Sequence, residues 1–121
     1  MVSHPQPSRS FKESLDRINI LRKVDPKEID PAGRTILMEH GARVKHVIVF
    51  FHGFTNSPRQ FETLGKQFYE LGYNVYIARI PYHGLKESIS ANLEKLTAED
   101  LAATSDETIE IEINEILYYI I

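Results

Sequence analysis

Val44-Lys45-His46-Val47-Ile48-Val49-Phe50-Phe51 runs without a break into His52-Gly53-Phe54-Thr55-Asn56-Ser57-Pro58, and this stretch decides the fold class. From Val47 to Phe51 the chain is continuously apolar, the pattern of a strand covered on both faces. Ser57 then stands where a helix N-cap would, with Pro58 at the first helical position. Phe61, Leu64, Phe68 and Leu71 follow at helical spacing, which predicts a helix over 58–71 with that stripe turned inward. Gly72 suits its C-terminal end. Tyr73 to Ile80, rich in Val, Ile and Tyr, predicts a further strand. Strand, helix and strand joined tightly form a βαβ unit, so the two strands should be parallel with a right-handed crossover.

Working outward from this unit, Arg34 to His40 alternates Ile36 and Met38 with Thr35 and Leu37 and reads as a strand. Gly41-Ala42 turns the chain before Val44, and the short connection predicts that strands 34–40 and 44–51 are antiparallel neighbours. Phe11, Leu15, Ile18 and Leu21 share a helical face; this is a short helix, or a segment that orders only on a larger body. Residues 1–10 read as a polar leader without the apolar stretch of a secretory signal. The chain therefore divides into a leader and short helix over 1–30 and a domain over 31–121. Downstream, Ile80-Pro81-Tyr82-His83-Gly84 breaks into a loop, and 86–96 carries no decisive pattern. Thr97 is a candidate cap, with Glu99 and Asp100 at the positive end of a helix dipole. That helix is expected to reach about Asn114, although Ile109, Ile111 and Ile113 also alternate as a strand would. The conformation of the last seven residues, with Ile116-Leu117-Tyr118-Tyr119-Ile120-Ile121, stays open. The fold expected is α/β, with about three strands and flanking helices.

Composition narrows the function classes. A net charge of −3 gives no basic footprint for nucleic acid. No apolar run approaches the length that spans a bilayer. Cysteine is absent, which removes thiolate metal sites and a cysteine nucleophile and suits the cytoplasm. A metal site built from His40, His46, His52 and His83 is chemically conceivable, but no pair has the close spacing of a helical metal motif. No metal and no cofactor are expected.

Two loops carry a resemblance. An apolar strand entering His52-Gly53-Phe54-Thr55 resembles the oxyanion loop of α/β-hydrolases. Arg79-Ile80-Pro81-Tyr82-His83-Gly84, one helix and one strand later, resembles the R-x-P-x-H-G loop of the same superfamily. Ala98-Glu99-Asp100 resembles its acidic helix start. The resemblance covers roughly residues 31–113 and is closest to the carboxylesterase and monoacylglycerol-lipase branch. It implies a partial α/β-hydrolase sheet in which the Phe54 backbone N–H is one oxyanion donor. His52, Gly53, Thr55, Tyr82 and His83 would line the cleft. The second donor would be the N–H after the nucleophile. Acyl transfer needs such donors aimed at the oxygen that becomes negative.

The nucleophile elbow, Gly-x-Ser-x-Gly, is missing. The residues two places after the glycines are Thr35, Arg43, Thr55, Gln67, Asn74 and Lys86, and none is Ser. The chain stops about where the resemblance would place the nucleophile strand, so it reads as an N-terminal portion that is inactive by itself. Each polar candidate also has a plainer reading, and that reading is favoured. His52 and His83 brace their loops, Ser57 caps a helix, Arg79 anchors its loop, and Tyr118 and Tyr119 pack or form an exposed end. Three functions remain in view. They are a fragment or one piece of a split serine hydrolase, a non-catalytic module that binds a partner or a second copy, and a small enzyme of unrelated chemistry. An unpaired sheet edge and the apolar tail point to self-association or a completing second chain, with a small ester as the ligand.

Overall fold

The computed structural model describes residues 6, 8–23, 31–53, 56–83, 93–112 and 116–120. The elements are α1 (Phe11–Lys23), β1 (Ile36–Met38), β2 (His46–Phe51), α2 (Glu62–Glu70), β3 (Asn74–Ala78), α3 (Ala98–Glu112) and β4 (Ile116–Ile120). Short 3-10 turns lie at Pro31–Gly33, Pro58–Phe61 and Leu93–Lys95. The four strands form one mixed sheet in the order β1-β3-β2-β4.

The apolar stretch from Val47 to Phe51 is the axis of this sheet. Val47, Ile48, Val49 and Phe50 are essentially solvent-free, and β2 pairs in parallel with β3 on one side and β4 on the other. Alternate residues of β2 and β3 point to opposite faces. Val47, Val49, Tyr76 and Ala78 pack with Ile18 of α1, while Ile48, Phe50, Val75 and Ile77 pack with Phe61, Phe68 and Tyr69 of the α2 segment. α3 lies against α1. The helices therefore divide between the faces as right-handed crossovers demand. The step from β2 to β3 runs one way across the sheet and the step from β3 to β4 runs back, so their helices fall on opposite sides. Helix α1, from the segment read as leader and short helix, shares the core of the sheet.

Several expectations are corrected. β1 and β2 are not neighbours: β3 lies between them and takes β1 as an antiparallel partner, Leu37 opposite Tyr76. The connection 39–45 is no hairpin turn. It steps over the end of β3, a distance of two strand spacings, about 9–10 Å. Asn74, buried at the start of β3, fixes that step. Its Oδ1 accepts the His40 N–H at 3.0 Å and its Nδ2 donates to the Ala42 carbonyl at 3.4 Å. The His40 ring stacks on Tyr69 at 4.1 Å and its Nε2 lies 3.1 Å from the Tyr69 and Tyr73 carbonyls. The end of the chain adds a fourth strand, since residues 116–120 pair with β2 in the register His46 to Ile116 through Phe50 to Ile120. α3 ends at Glu112, and Ile113, Asn114 and Glu115 lie outside the described residues.

The inward face of α2 also differs from the predicted stripe. Phe61 and Phe68 of that stripe pack on the sheet as expected, but Leu64 and Leu71 are exposed, Leu71 by 74%, and Gly65 and Tyr69 take their place on the contact face. Gly65 is buried, and a Cβ there would sit 3.1 Å from Val75 Cγ1. The missing side chain brings helix and sheet together and rotates the contact face away from Leu64. Ser57 is in the extended cap conformation, yet its side chain makes no capping bond, and the first turn is 3-10 until Glu62. The other end is a Schellman closure. Gly72 has φ +93°, Tyr73 N–H donates to Phe68 O at 3.1 Å and Gly72 N–H to Tyr69 O at 2.9 Å. The Tyr73 and Phe68 rings meet edge to face, the apolar contact that accompanies this motif. Thr97 does cap α3: its Oγ1 accepts the Asp100 N–H at 3.1 Å, while the Asp100 carboxylate takes the Thr97 N–H at 2.9 Å, a reciprocal capping box.

Two substitutions separate the contact face from the predicted stripe. Phe68→Ala should cost about 3 kcal/mol and Leu71→Gln less than about 0.5 kcal/mol, measured by urea unfolding. Equal losses would restore the stripe read from spacing.

Candidate functional site at the carboxyl ends of β2 and β3

Ligands of open α/β sheets bind beyond the carboxyl ends of the strands, where neighbouring connections diverge to opposite faces. Here that divergence centres on β2. The chain leaves β2 through His52-Gly53 and leaves β3 through Arg79-Ile80-Pro81-Tyr82-His83. Because the strands are parallel and paired from Val47–Asn74 to Phe51–Ala78, both segments emerge side by side at one end of the sheet.

His52 joins them. Its ring is buried, 2% exposed. The Ile80 N–H donates to Nε2 at 3.1 Å, and Nδ1 lies 3.0 Å from the Gly53 carbonyl oxygen. An N–H donor at Nε2 requires a lone pair there, so the proton sits on Nδ1 and is donated to Gly53. Both nitrogens are thus spent on backbone and the ring is held neutral. Burial is the main cause of a pKa lowered to about 4, with the charges of His83 and Arg79 adding to it and the Gly53 bond opposing. A ring whose basic nitrogen already accepts a backbone N–H is no general base. It is a strut between two loops.

His83 stands against it, with ring centroids 4.9 Å apart in an edge-to-face arrangement. It is also buried, with Nδ1 2.9 Å from the Pro81 carbonyl. Arg79 Nη1 donates to the His83 carbonyl at 3.4 Å. The His83 N–H closes a turn on the Ile80 carbonyl at 3.2 Å. Tyr82, third in this turn, has φ +64° and is 37% exposed. A bulky L residue in that region costs about 1–2 kcal/mol.

Gly53 is held from both sides. Gln60 Oε1 accepts its N–H at 3.2 Å, and its carbonyl accepts the Asn56 N–H at 2.9 Å in addition to His52. Sequence reading passed over Gln60, although Ser57-x-x-Gln60 is the spacing of a capping box. Here the Gln side chain reaches past Ser57 and holds the loop instead. Gly53 has no positive φ, and a Cβ would meet Asn56 Nδ2 at 3.3 Å. That contact is with a movable side chain, so among the described residues neither φ nor a fixed neighbour demands glycine at this position. Phe54, Thr55 and Gly84, parts of the two sequence motifs, lie outside the described residues.

The other histidines are elsewhere. His40 and His46 sit at the opposite end of the sheet, stacked on Tyr69 and Tyr73. Among the described residues no three His, Cys, Asp or Glu side chains are placed to hold a metal ion. No described helix is long and apolar enough to cross a membrane. No family model matches the chain, and no curated protein matches it.

The depressed His52 pKa ties stability to pH. The unfolded chain takes up this proton near the ordinary value of 6.5, and the folded chain near 4. The His52 contribution is therefore complete above pH 6.5 and is lost as pH falls towards 4, by up to about 3 kcal/mol. Urea unfolding at pH 7.5, 5.5 and 4.5 should give a slope for the native chain that His52→Gln largely removes. Parallel slopes would mean that other groups dominate.

Proposed function

We propose that this chain is the N-terminal part of a serine hydrolase of the α/β-hydrolase, esterase and lipase type, contributing the oxyanion loop but not the nucleophile. One observation supports this reading above the others: β4 is a parallel neighbour of β2, with Phe50 opposite Ile120. In the hydrolase mechanism one oxyanion donor comes from a strand-to-helix loop and the other from the turn that carries the nucleophile, so the two must reach one oxygen. Parallel neighbours lie about 4.8 Å apart. A nucleophile on a turn following β4 would arrive beside the His52-Gly53 segment that leaves β2. Further polypeptide or a second chain would supply it. The clamp at Gly53 supports the same reading, because donors that stabilise a developing oxyanion must be held before the charge appears. The Phe54 N–H is the proposed donor from this chain, and an ester is the proposed substrate class. A chain without cysteine has no need of an oxidising compartment, which favours the cytoplasm.

The chain alone should turn over no p-nitrophenyl ester by this mechanism and should take no fluorophosphonate label. Adding a second polypeptide with a Gly-x-Ser-x-Gly elbow, or extending the chain through one, should restore both. Stoichiometric labelling of the isolated chain at Ser57, Ser88, Ser90 or Ser105 would overturn the reading.

A specific observation also favours the second reading, a self-associating module. β1 and β4 end the strand order, so each pairs on one side with a described strand, and an open edge is a template for another chain. Sedimentation at tens of micromolar, roughly where edge pairing shows itself, should reveal dimers or larger species. A clean monomer would remove this reading and leave the first intact.

A further inference from the structure

Strand β1 closes one side of the sheet with three apolar residues, Ile36, Leu37 and Met38. None is a lysine or a proline, the residues that commonly guard an edge. Among the described residues its one sheet neighbour is β3, so alternate residues of β1 turn their N–H and C=O groups away from the sheet. The edge is not flush with the surface. Helices α1 and α2 flank it from opposite faces, and the three elements border a groove of about 560 Å³. Leu37 packs towards α1 and Met38 towards α2. β1 is therefore the floor, with Leu15, Asn19 and Arg22 on one wall and Lys66 and Tyr69 on the other. A strand takes up about 160 Å³ per residue of a packed sheet, from a rise of about 3.4 Å, a spacing of about 4.8 Å and layers about 10 Å apart. The groove thus has room for about three or four residues of extended chain. Leu15 to Arg22 covers about 10 Å of α1, a matching length.

The two walls differ in charge. Lys66 already meets Glu62 at 3.1 Å, whereas Arg22 is exposed and has no carboxylate partner among the described residues. Glu39, also on the lining, accepts the Gly41 N–H with its carboxylate. The α1 wall thus offers an unspent guanidinium, a group suited to carboxylates, and the α2 side offers Met38 and Tyr69. Side chains of an added strand point alternately to the two walls. A second copy offering its own β1 would bring the same two helices against these walls, so a recessed edge suits a lone extended segment.

We propose that the groove along β1 is a peptide-binding site: it takes an extended segment of a partner protein as an added strand, with acidic side chains towards Arg22 and apolar ones towards Met38 and Tyr69. Main-chain bonds supply the affinity, and the alternation of side chains supplies the specificity. The site borders neither the His52 nor the His83 loop, so it is independent of the hydrolase reading. It goes beyond self-association by assigning this edge to a partner.

The probe is the capped peptide acetyl-Val-Glu-Val-Glu-amide, titrated into the chain and followed by nitrogen-15 amide shifts of Leu37 and Met38. Both amides should move and saturate. The same peptide with lysine in place of glutamate should bind at least about fivefold more weakly. N-methylation of every residue of the acidic peptide keeps the side chains, removes the donors and should abolish the shifts. Arg22→Glu should weaken the acidic peptide about fivefold and improve the lysine peptide. If that variant fails to fold, the comparison of peptides on the native chain decides alone. Unmoved Leu37 and Met38 amides at about 1 mM peptide, the weak end of recognition, would overturn the proposal. So would equal binding of the acidic and lysine peptides, or undiminished binding of the N-methylated one. Shifts of the same two amides on concentrating the chain without peptide would give the edge to a second copy and overturn it too. Self-association through β4 and the hydrolase reading are tested separately, by sedimentation and by serine labelling.

Discussion

The structure depends on the burial of β2 on every side. Two of its edges are taken by parallel strands and both of its faces by helices, so Val47 to Phe50 meet almost no water. A single apolar strand of this kind cannot be satisfied by a hairpin partner alone. It needs neighbours on both edges to take its backbone groups and an apolar cover above and below. Once β3 occupies one edge and β4 the other, the right-handed crossover rule assigns α2 and α3 to opposite faces. The same arrangement creates a point where connections diverge, and it does so at the end of β2 where His52 and Gly53 stand.

This constraint explains which features were legible in the sequence. The β2–α2–β3 unit was readable because each signal is local: a continuous apolar run, Pro58 in the first turn and Gly72 at a position with φ +93°; the start of α3 was readable for the same reason, from Thr97 three residues before Asp100. β1 was recognisable as a strand but not placeable. Its partner is set by Asn74, which is far away in sequence and anchors the step at His40 and Ala42; nothing between Met38 and His46 records that β3 will pass between them. The helical stripe failed at Leu64 for a related reason. Spacing treats glycine as a gap, whereas Gly65 is the point of closest approach to Val75, and the contact face follows the glycine. At the end of the chain, helical and strand periods overlap between Ile109 and Ile120. Pairing with β2 decides for the strand at 116–120, a tertiary choice that local propensity does not contain.

The candidate site was legible as a pair of motifs and much less so as geometry. His52 and His83 stood out as residues, but their roles come from partners named by no motif: the Ile80 N–H, the Gly53 carbonyl and the Pro81 carbonyl. Imidazole suits this position because it carries an acceptor and a donor on one rigid ring. A neutral ring can therefore take an N–H from one loop and give one to the next. An amide has the same two functions on a single carbon, with less reach between them. Gln60 and Asn56 complete the arrangement from the start of the α2 segment. Gln60 is spent on the loop and not on the cap.

The same network accounts for the strain at Tyr82. A non-glycine residue persists at positive φ only when its surroundings over-determine it. Here the turn is fixed at each end by bonds that originate in the sheet, through His52 at Ile80 and through Arg79 at His83. Both anchors lie at the carboxyl ends of β2 and β3, whose paired residues Val47 to Phe50 and Val75 to Ala78 are almost wholly buried. Stability generated along β2 is thereby transmitted through one neutral imidazole to a conformation that the local sequence would not choose. A strained, partly exposed aromatic at this end of the sheet is thus a consequence of how firmly the turn beneath it is held. Loosening that floor at His52 would let Tyr82 relax even though the two side chains need not touch.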